Sequence, residues 1–291
     1  MCRWMAWFGQ PVLIEELLFN TQHGIVDQSL HARMGAEPTN GDGFGLGWYG
    51  TGPGPALYHS VSPAWADANL KELAGHIESP LFLAHVRAAI GSPVQQTNCH
   101  PFRHDDWLFV HNGFINEMHT MRRELMMAID PQHFPYVVGS TDTEVVFRLA
   151  LTFGLEHDPI GALEQTVGLI EETAAQHGIA DAVMATFAAS DGESLWAVRY
   201  ATTGRPRTLF ASVDVDTIRA LHPENARVQR LLPGDRVIVS EPFSDLPGLW
   251  QEIPPSTAVT VQAGGVLEER PFRPRSPADG GAVPAAATAS A

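Results

Sequence analysis

The chain opens with Met1-Cys2-Arg3-Trp4-Met5-Ala6-Trp7-Phe8-Gly9, and Gln10-Pro11 follows. Residues 3–8 are mostly apolar and aromatic, and the Gly-Gln-Pro after them is typical of a turn, so the pattern predicts a short buried strand. Removal of Met1 would leave a thiol and a free α-amine together on Cys2. These groups can share a proton near neutral pH and supply a thiolate, because their reference pKa values are about 8.5 and about 7.7–8.0. From position alone, Cys2 suits either a nucleophile or a small side chain packed inside the first strand.

The composition is that of a globular chain and argues against some classes of function. Of the 291 residues 44% are hydrophobic, and the net charge of −15 opposes binding to nucleic acid or to an anionic membrane surface. The two cysteines, Cys2 and Cys99, give no disulfide framework and favour a reducing compartment. Without a signal-peptide pattern or a membrane-spanning apolar run, we expect a cytoplasmic protein that contacts no membrane. The 13 histidines include no His-Glu-x-x-His, so we expect no metal and no organic cofactor.

Hydrophobic periodicity predicts a β-rich chain with helices in its middle. Helices are predicted at 12–19, at 64–77, at 116–129 with Asn116 as N-cap, from Ser140 or Thr141 onward in a capping box, and at 159–177. Strands are predicted at 43–49, 80–87, 107–110, 182–189, 194–201, 208–213, 236–240 and 258–262. Residues 271–291 are rich in Pro, Ala, Ser and Gly, so we expect a mobile tail after one domain at 2–270.

Several segments carry polar residues in a recognisable order. They read Ala84-His85-Val86-Arg87-Ala88-Ala89, Asn98-Cys99-His100-Pro101-Phe102, Val110-His111-Asn112-Gly113-Phe114-Ile115 and Ser140-Thr141-Asp142-Thr143-Glu144, and Asn40-Gly41-Asp42-Gly43-Phe44-Gly45-Leu46-Gly47-Trp48-Tyr49 precedes them. Together with Cys2, they resemble the N-terminal-nucleophile glutaminase domains of class II glutamine amidotransferases. The opening Met-Cys-Arg and the glycine-rich strand fit the stand-alone branch, which includes the ergothioneine-pathway γ-glutamyl hydrolase and the amidotransferase-like subunit of glutathione degradation.

The resemblance extends over about residues 2–250 and implies a fold as well as an activity. We expect an α+β fold, a four-layer αββα sandwich of the N-terminal-nucleophile hydrolase type. Residues 2–270 would form its glutamine amidotransferase type 2 domain. Mature Cys2 would lie at the end of the first strand and face a cleft that holds a γ-glutamyl group.

The pair Asn112-Gly113 follows a predicted buried strand and has two interpretations. A plain Asn-Gly hairpin turn is the commoner use of this dipeptide. The resemblance favours instead an oxyanion site, in which the Asn112 side-chain amide and the Gly113 N–H donate to a tetrahedral intermediate.

Three further residues are candidates for substrate binding. Arg87 ends an apolar strand and needs a carboxylate partner, which is either a structural ion pair or the α-carboxylate of a ligand. Asp142 suits a helix start by itself, but in the family the matching carboxylate holds the α-ammonium of the ligand. Arg87 and Asp142 together would hold a zwitterionic head group. His100 would line the pocket or brace a loop.

Two departures from the larger amidotransferases stand out. The Arg motif of glucosamine-phosphate synthase continues with a Thr and a His, whereas this chain has Arg87-Ala88-Ala89-Ile90-Gly91. Carboxylate recognition would therefore depend more on Arg87, and the substrate need not be free glutamine. No synthase or phosphoribosyl domain is expected after about Phe272, so an ammonia acceptor would come on a partner chain.

We therefore expect an amidohydrolase that cleaves a γ-glutamyl amide through a Cys2 thioester and releases glutamate. One alternative is a glutaminase subunit that supplies ammonia to a separate synthetase, and a peptidase subunit is another possible partner. A second is a hydrolase of linear amides of the bile-acid or penicillin type, which needs no head-group clamp. A third is a non-catalytic binding protein that kept the fold.

Overall fold

Two antiparallel β-sheets lie at the centre of the fold. The computed structural model describes residues 2–34, 38–89 and 91–277. In chain order its strands are β1 (Arg3–Leu13), β2 (Phe44–Trp48), β3 (Ala56–Ser60), β4 (Glu78–Val86), β5 (Phe102–His104), β6 (Trp107–Ile115), β7 (Val183–Ser190), β8 (Leu195–Ala201), β9 (Phe210–Ser212), β10 (Arg236–Val239), β11 (Trp250–Glu252), β12 (Thr257–Gln262) and β13 (Val266–Pro271). Its helices are α1 (Glu15–Leu18), α2 (Ile25–His31), α3 (Ala68–Ala74), α4 (Met118–Met127), α5 (Asp142–Thr152), α6 (Pro159–Gln176) and α7 (Val215–Leu221).

The first strand occupies the interior of its sheet. The seven-stranded sheet has the order β11-β9-β10-β1-β4-β2-β3, and the six-stranded sheet has the order β13-β12-β8-β7-β6-β5. Arg3 pairs with Val86 of β4, and Met5 pairs with Val239 of β10. Cys2 therefore directly precedes a strand that is hydrogen-bonded on both sides.

Successive side chains of β1 and of β6 point alternately into the core between the sheets and into an outer core under the helices. This follows because successive residues of a strand point to opposite faces of a sheet. Trp4 and Ala6 pack between the two sheets with Leu108 and Val110. The indole Nε1 of Trp4 also donates a hydrogen bond to Thr186 Oγ1 of the facing sheet at 2.9 Å. The two sheets therefore form one continuous inner core.

The opposite faces of the same strands are covered by helices. Met5 and Trp7 pack with apolar residues of α1, α2 and α3 on one side of the molecule. Phe109 of β6 packs with residues of α4, α5 and α6 on the other side, and its ring stacks on Phe147 at 5.1 Å. The layer order is helix, sheet, sheet, helix, which confirms the predicted α+β four-layer αββα sandwich.

The predicted turn at residues 9–11 is wrong, and so is the helix at 12–19. β1 continues through Pro11 to Leu13, with a register shift against β4 between Phe8 and Val12. Pro11 is tolerated at this irregularity because proline cannot donate to a regular ladder. Only the short α1 remains of the predicted helix.

Two other helix boundaries differ from the prediction. The predicted helix at 64–77 is divided into a 3₁₀ turn (Ala64–Ala66) and α3, whose N-cap Asp67 accepts a hydrogen bond from Leu70 N. Asn116 is not the N-cap of α4, because its side chain donates to Asp181 Oδ1 at 2.9 Å and Glu117 occupies the cap position. Within the described ranges, no helix combines the length and apolarity needed to span a bilayer.

The packed part of the chain extends past residue 270, where the sequence predicts the start of the tail. Phe272 is only 2% exposed and lies against the ring of Tyr200 at 5.4 Å. The backbone N–H of Arg275 donates to Glu164 O at 3.2 Å. The side chain of Phe272 therefore anchors the residues just after 270 to the core. Residues 278–291 lie outside the described part of the chain.

Candidate active site

A cleft of about 750 Å³ is lined by residues from distant parts of the chain. All six candidate residues lie on its wall, namely Cys2, Arg87, His100, Asn112, Gly113 and Asp142. They come from the residue before β1, the end of β4, the segment before β5, the interior of β6 and the start of α5. The fold therefore brings Cys2 and the four later polar segments to one cavity, whereas no residue of the glycine-rich segment 40–49 lines it.

Cys2 is half-buried in this cleft. Its Sγ donates a hydrogen bond to the carbonyl oxygen of Ala88 at 3.5 Å, and no imidazole or carboxylate of the described residues bonds to it. Burial raises the pKa of the thiol, and the positive charge of Arg87 acts in the opposite direction. Because burial has the larger effect, the thiol needs a base to become a nucleophile at neutral pH. Met1, whose removal the prediction requires, lies outside the described residues.

Asn112 and Gly113 do not form a hairpin turn. They lie within β6, opposite Thr186 and Ala185 of β7, because the strand continues to Ile115 instead of ending at residue 110 as predicted. The Asn112 side chain is 4% exposed and makes no hydrogen bond to any described residue, although it lines the cleft. Its amide N–H groups are therefore available to a ligand.

Only glycine fits at position 113. Its φ is 135°, a backbone conformation that L residues rarely adopt. A Cβ atom added there would lie 1.9 Å from the carbonyl oxygen of Met184 on the neighbouring strand. This contact with backbone cannot be relieved by a side-chain rotation, so the close approach of β6 and β7 at the cleft requires glycine.

The guanidinium group of Arg87 is held by neutral acceptors. Its Nη2 donates to Ser92 Oγ at 2.7 Å and to Pro93 O at 3.2 Å, and its Nη1 lies 3.4 Å from Asp42 O. The residue is 3% exposed, and no carboxylate of the described residues forms an ion pair with it. The alternative of a structural ion pair is therefore not found among the described residues, and the buried positive charge faces the cleft without an anion.

Asp142 begins α5 beside the same cleft. Its Oδ2 accepts from the backbone N–H of Ile115 at 2.9 Å, and its Oδ1 accepts from Thr143 N at 2.7 Å. Of the two predicted N-cap candidates, Thr141 is the N-cap and accepts from Glu144 N at 3.2 Å. Glu144 does not complete the capping box, because its carboxylate accepts from the N–H groups of residues 138 and 139. Asp142 pairs with no cation of the described chain.

His100 belongs to a group of buried rings. Its ring centroid lies 4.2 Å from that of His85 and 5.0 Å from that of Phe102. Burial lowers the pKa of His85 to about 3 and that of His100 well below its ordinary value, so both rings are neutral. His111 also lines the cleft, and its Nδ1 lies 3.0 Å from Thr143 Oγ1. The imidazole rings of His100 and His111 therefore form part of the cleft wall, and that of His100 is neutral.

Sequence reasoning missed Ser92 and Arg207. Ser92 follows the Arg87 motif and supplies an acceptor to its guanidinium, and the turn-like Gly91-Ser92-Pro93 was the available signal. Arg207 lines the cleft from the irregular segment between β8 and β9, where no local pattern marks it. Ile90, the departure from the larger amidotransferases, lies outside the described residues.

The site has no arrangement of metal ligands in the described ranges, since no group of three His, Cys, Asp or Glu side chains there could hold an ion. His100 and His111, which are close to His104 in the sequence, both line the cleft, whereas His104 does not. His104 lies against His133 and Tyr136, with ring centroids 5.1 Å away in each case.

The chain is similar to proteins of known class. A family model described as glutamine amidotransferases class-II matches residues 18–275. The probable glutamine amidotransferase DUG3 of Saccharomyces cerevisiae is 31% identical over 92% of this chain and 83% of its own length. The γ-glutamyl-hercynylcysteine sulfoxide hydrolase of Mycolicibacterium smegmatis is 28% identical over 92% of this chain and 98% of its own.

A solved structure resembles the whole described fold. The glutamine aminotransferase class-II domain protein from Silicibacter pomeroyi superimposes with a TM-score of 0.72 and 32% sequence identity. The match covers 94% of this chain and 100% of that protein. The sandwich therefore has the architecture of N-terminal-nucleophile glutaminase domains, as the sequence pattern predicts.

Proposed function

Because the chain belongs to the class-II glutamine amidotransferases, we propose that it hydrolyses a γ-glutamyl amide and releases glutamate. The observation that carries the proposal is one cleft in which Cys2, the unengaged Asn112 amide, Arg87 and Asp142 come together. The activity in the name of the mycobacterial relative, hydrolysis of a γ-glutamyl compound, supports the same reaction type.

The nucleophile in this proposal is the thiol of Cys2 after removal of Met1. Its α-amine is the base, since the thiol has no imidazole or carboxylate hydrogen-bond partner in the described structure. The sulfur attacks the γ-carbonyl carbon while its proton passes to the α-amine, directly or through a water. The burial that raises the pKa of the thiol makes this proton transfer necessary.

The reaction then proceeds in two halves. The α-ammonium group donates its proton to the leaving nitrogen, the C–N bond breaks, and a γ-glutamyl thioester remains on Cys2. A water molecule gives a proton to the α-amine and attacks the thioester carbon, which releases glutamate and restores the thiol. Water is the only co-reactant that the two half-reactions consume.

Asn112 and Gly113 stabilise the negative oxygen that forms in each half-reaction. The Asn112 amide has no other hydrogen bond in the described structure, so it donates to the oxyanion without breaking an existing contact. Because Asn112 lies within β6, its amide is held in place before the reaction begins. A donor that is already in place requires no reorganisation energy during the reaction.

Arg87 and Asp142 select the γ-glutamyl head group. The guanidinium binds the α-carboxylate of the substrate, and the Asp142 carboxylate binds its α-ammonium. Neither side chain has an ion-pair partner among the described residues, so a zwitterionic substrate supplies an anion to Arg87 and a cation to Asp142. The neutral His100 forms part of the pocket wall.

The proposal is tested by glutamate release from glutamine, glutathione and other γ-glutamyl compounds, with penicillin-type N-acyl amides as the comparison. Cys2→Ala should abolish release. Cys99→Ala is the matched control, because Cys99 is buried outside the cleft and should keep most of the rate. Hydrolysis of N-acyl amides alone would contradict the head-group assignment. Release of glutamate that rises when a synthetase binds would assign the ammonia-supplying role instead.

A further inference from the structure

The cleft contains more positive charge than the γ-glutamyl head group requires. Three guanidinium groups line it, those of Arg87, Arg122 and Arg207, against the carboxylates of Asp142 and Glu117. The head group carries one carboxylate and one ammonium group, which Arg87 and Asp142 complement. This excess is local, since the chain as a whole has a net charge of −15.

Arg122 and Arg207 differ in how their side chains are held. Arg122 donates from Nη1 to Ser140 O at 3.0 Å, which fixes it to the loop before α5. The Arg207 side chain has no hydrogen-bond or ion-pair partner among the described residues, and its Nε is buried without an acceptor. Burial and the nearby charge of Arg3 lower the pKa of Arg207. An unpaired, partly buried cation is costly unless an anion binds it.

The backbone that carries Arg207 is fixed. Its carbonyl oxygen accepts from Arg199 Nε at 2.6 Å, and the next residue, Thr208, donates from Oγ1 to Ser240 O at 2.8 Å. Leu209 is fully buried. The unpaired side chain therefore projects from an ordered segment, which is the arrangement expected of a binding residue.

Arg207 approaches the cleft near the nucleophile. Both residues line the cleft, and the nearby charges of Arg3 and Cys2 shift the pKa of Arg207 in opposite directions. Arg3 itself donates to the carbonyl oxygen of Cys2 at 3.0 Å. Arg3 is paired with Glu241 at 2.9 Å, so its charge is compensated, whereas that of Arg207 is not. An anion bound by Arg207 would lie close to the amide bond that Cys2 attacks.

We propose that Arg207 binds a carboxylate on the leaving amine, which makes γ-glutamyl amino acids the preferred substrates over glutamine. This inference rests on the proposed γ-glutamyl hydrolysis. Glutamine cannot use the contact, because its leaving group is ammonia. The leaving group of a γ-glutamyl amino acid carries a carboxylate two bonds from the scissile nitrogen.

The test compares two substrates that differ only in this charge, γ-glutamylglycine and γ-glutamylglycinamide. Glutamate release gives kcat/KM for each, and wild-type enzyme should prefer the acid by about 10- to 100-fold, the effect of one charge-assisted hydrogen bond. Arg207→Gln should bring the ratio of the two kcat/KM values close to one, and Arg207→Lys should restore part of it. Arg205→Gln is the matched control, because Arg205 is exposed on the same segment and should keep the wild-type ratio.

The outcomes separate the two proposals. Equal hydrolysis of the acid and the amide by wild-type enzyme would overturn the role of Arg207 and leave γ-glutamyl hydrolysis standing. An Arg207→Gln variant that slows both substrates equally would assign Arg207 a structural role and also overturn it. Absence of glutamate release from both substrates and from glutamine, in protein that has lost Met1, would overturn the proposed function and this inference together, whereas release from glutamine alone would overturn only this inference.

Discussion

The Asp142 carboxylate accepts a hydrogen bond from the backbone N–H of Ile115, with 2.9 Å between Oδ2 and N. Ile115 ends the strand that carries Asn112 and Gly113. The proposed head-group anchor and the proposed oxyanion donors are therefore connected by one hydrogen bond and two residues of strand. A ligand held by Asp142 would be positioned relative to the donors without a mobile loop between them.

Replacement of Asn112 by Ala should remove most of the turnover and leave the fold intact. The amide has no hydrogen bond to the described residues, so its loss leaves no partner unsatisfied in the resting enzyme. The expected fall in kcat is about 10²- to 10³-fold, the usual effect of losing one oxyanion donor. Wild-type kcat in Asn112→Ala, with Tm as a check on folding, would rule out the assignment. Asn20→Ala, at a residue that does not line the cleft, serves as the control.

Replacement of Gly113 by Ala should destabilise the protein by about 3 kcal/mol or more, because strain at positive φ adds to a clash with backbone. Gly178→Ala is the matched control, with φ of 73° and open space at its Cβ position. Gly178→Ala should lower the free energy of unfolding by only about 1–2 kcal/mol. Urea denaturation measures both, and equal losses of stability would mean that β6 and β7 tolerate a side chain at position 113.

Replacement of Asp142 by Asn keeps an acceptor for the Ile115 N–H and removes the charge. We expect kcat/KM for glutamine or a γ-glutamyl substrate to fall by about 10- to 100-fold, the effect of one charge-assisted contact. The corresponding substrate without an α-amino group, 4-carbamoylbutanoate for glutamine, should lose far less. A similar loss on both substrates would show that Asp142 does not bind the α-ammonium.

Stability should fall when the pH drops below the ordinary pKa of histidine. Burial, followed by the charge of Arg87, lowers the pKa of His85 from 6.5 to about 3 in the folded state. Below pH 6.5 the unfolded chain binds a proton at this site that the folded protein excludes. The stabilisation is therefore complete above pH 6.5 and is lost as the pH falls toward 3.

The measurement is the free energy of unfolding in urea at about pH 7 and at about pH 5. Between these two pH values, protonation at His85 in the unfolded chain should lower the free energy of unfolding by about 2 kcal/mol. His85→Phe keeps a ring in the cavity and should flatten the dependence by about that amount. His31→Gln, at an exposed site, should leave the slope unchanged. Parallel profiles for wild type and His85→Phe would contradict a buried neutral imidazole.

Much of this architecture is predictable from local patterns. The apolar and aromatic run from Arg3 to Phe8 indicates a buried strand, and the structure places Trp4 between the sheets and Met5 under the helices. The order of the polar segments, together with Cys2, identifies the family and six residues that the structure places on the cleft wall. α6 runs from Pro159 to Gln176 as predicted, because proline at its first turn and Gly178 after it mark both ends.

The remaining features depend on contacts between distant segments. Glycine is required at position 113 by a carbonyl oxygen of Met184 on the neighbouring strand, which no local pattern around Asn112 indicates. The extension of β1 past Pro11 depends on its pairing with β4. Arg207 lies in an irregular segment, and its position in the same cleft as Cys2 depends on the packing of distant segments.

The most direct test of the account is the chemical state of residue 2 in active protein. Intact-mass and peptide analysis after treatment with a γ-glutamyl diazoketone should show that Met1 is absent and that one label is attached to the Cys2 sulfur. The label should be lost in Cys2→Ala and retained in Cys99→Ala. Active protein that keeps Met1, or that carries the label on another residue, would contradict the proposal that Cys2 provides both nucleophile and base.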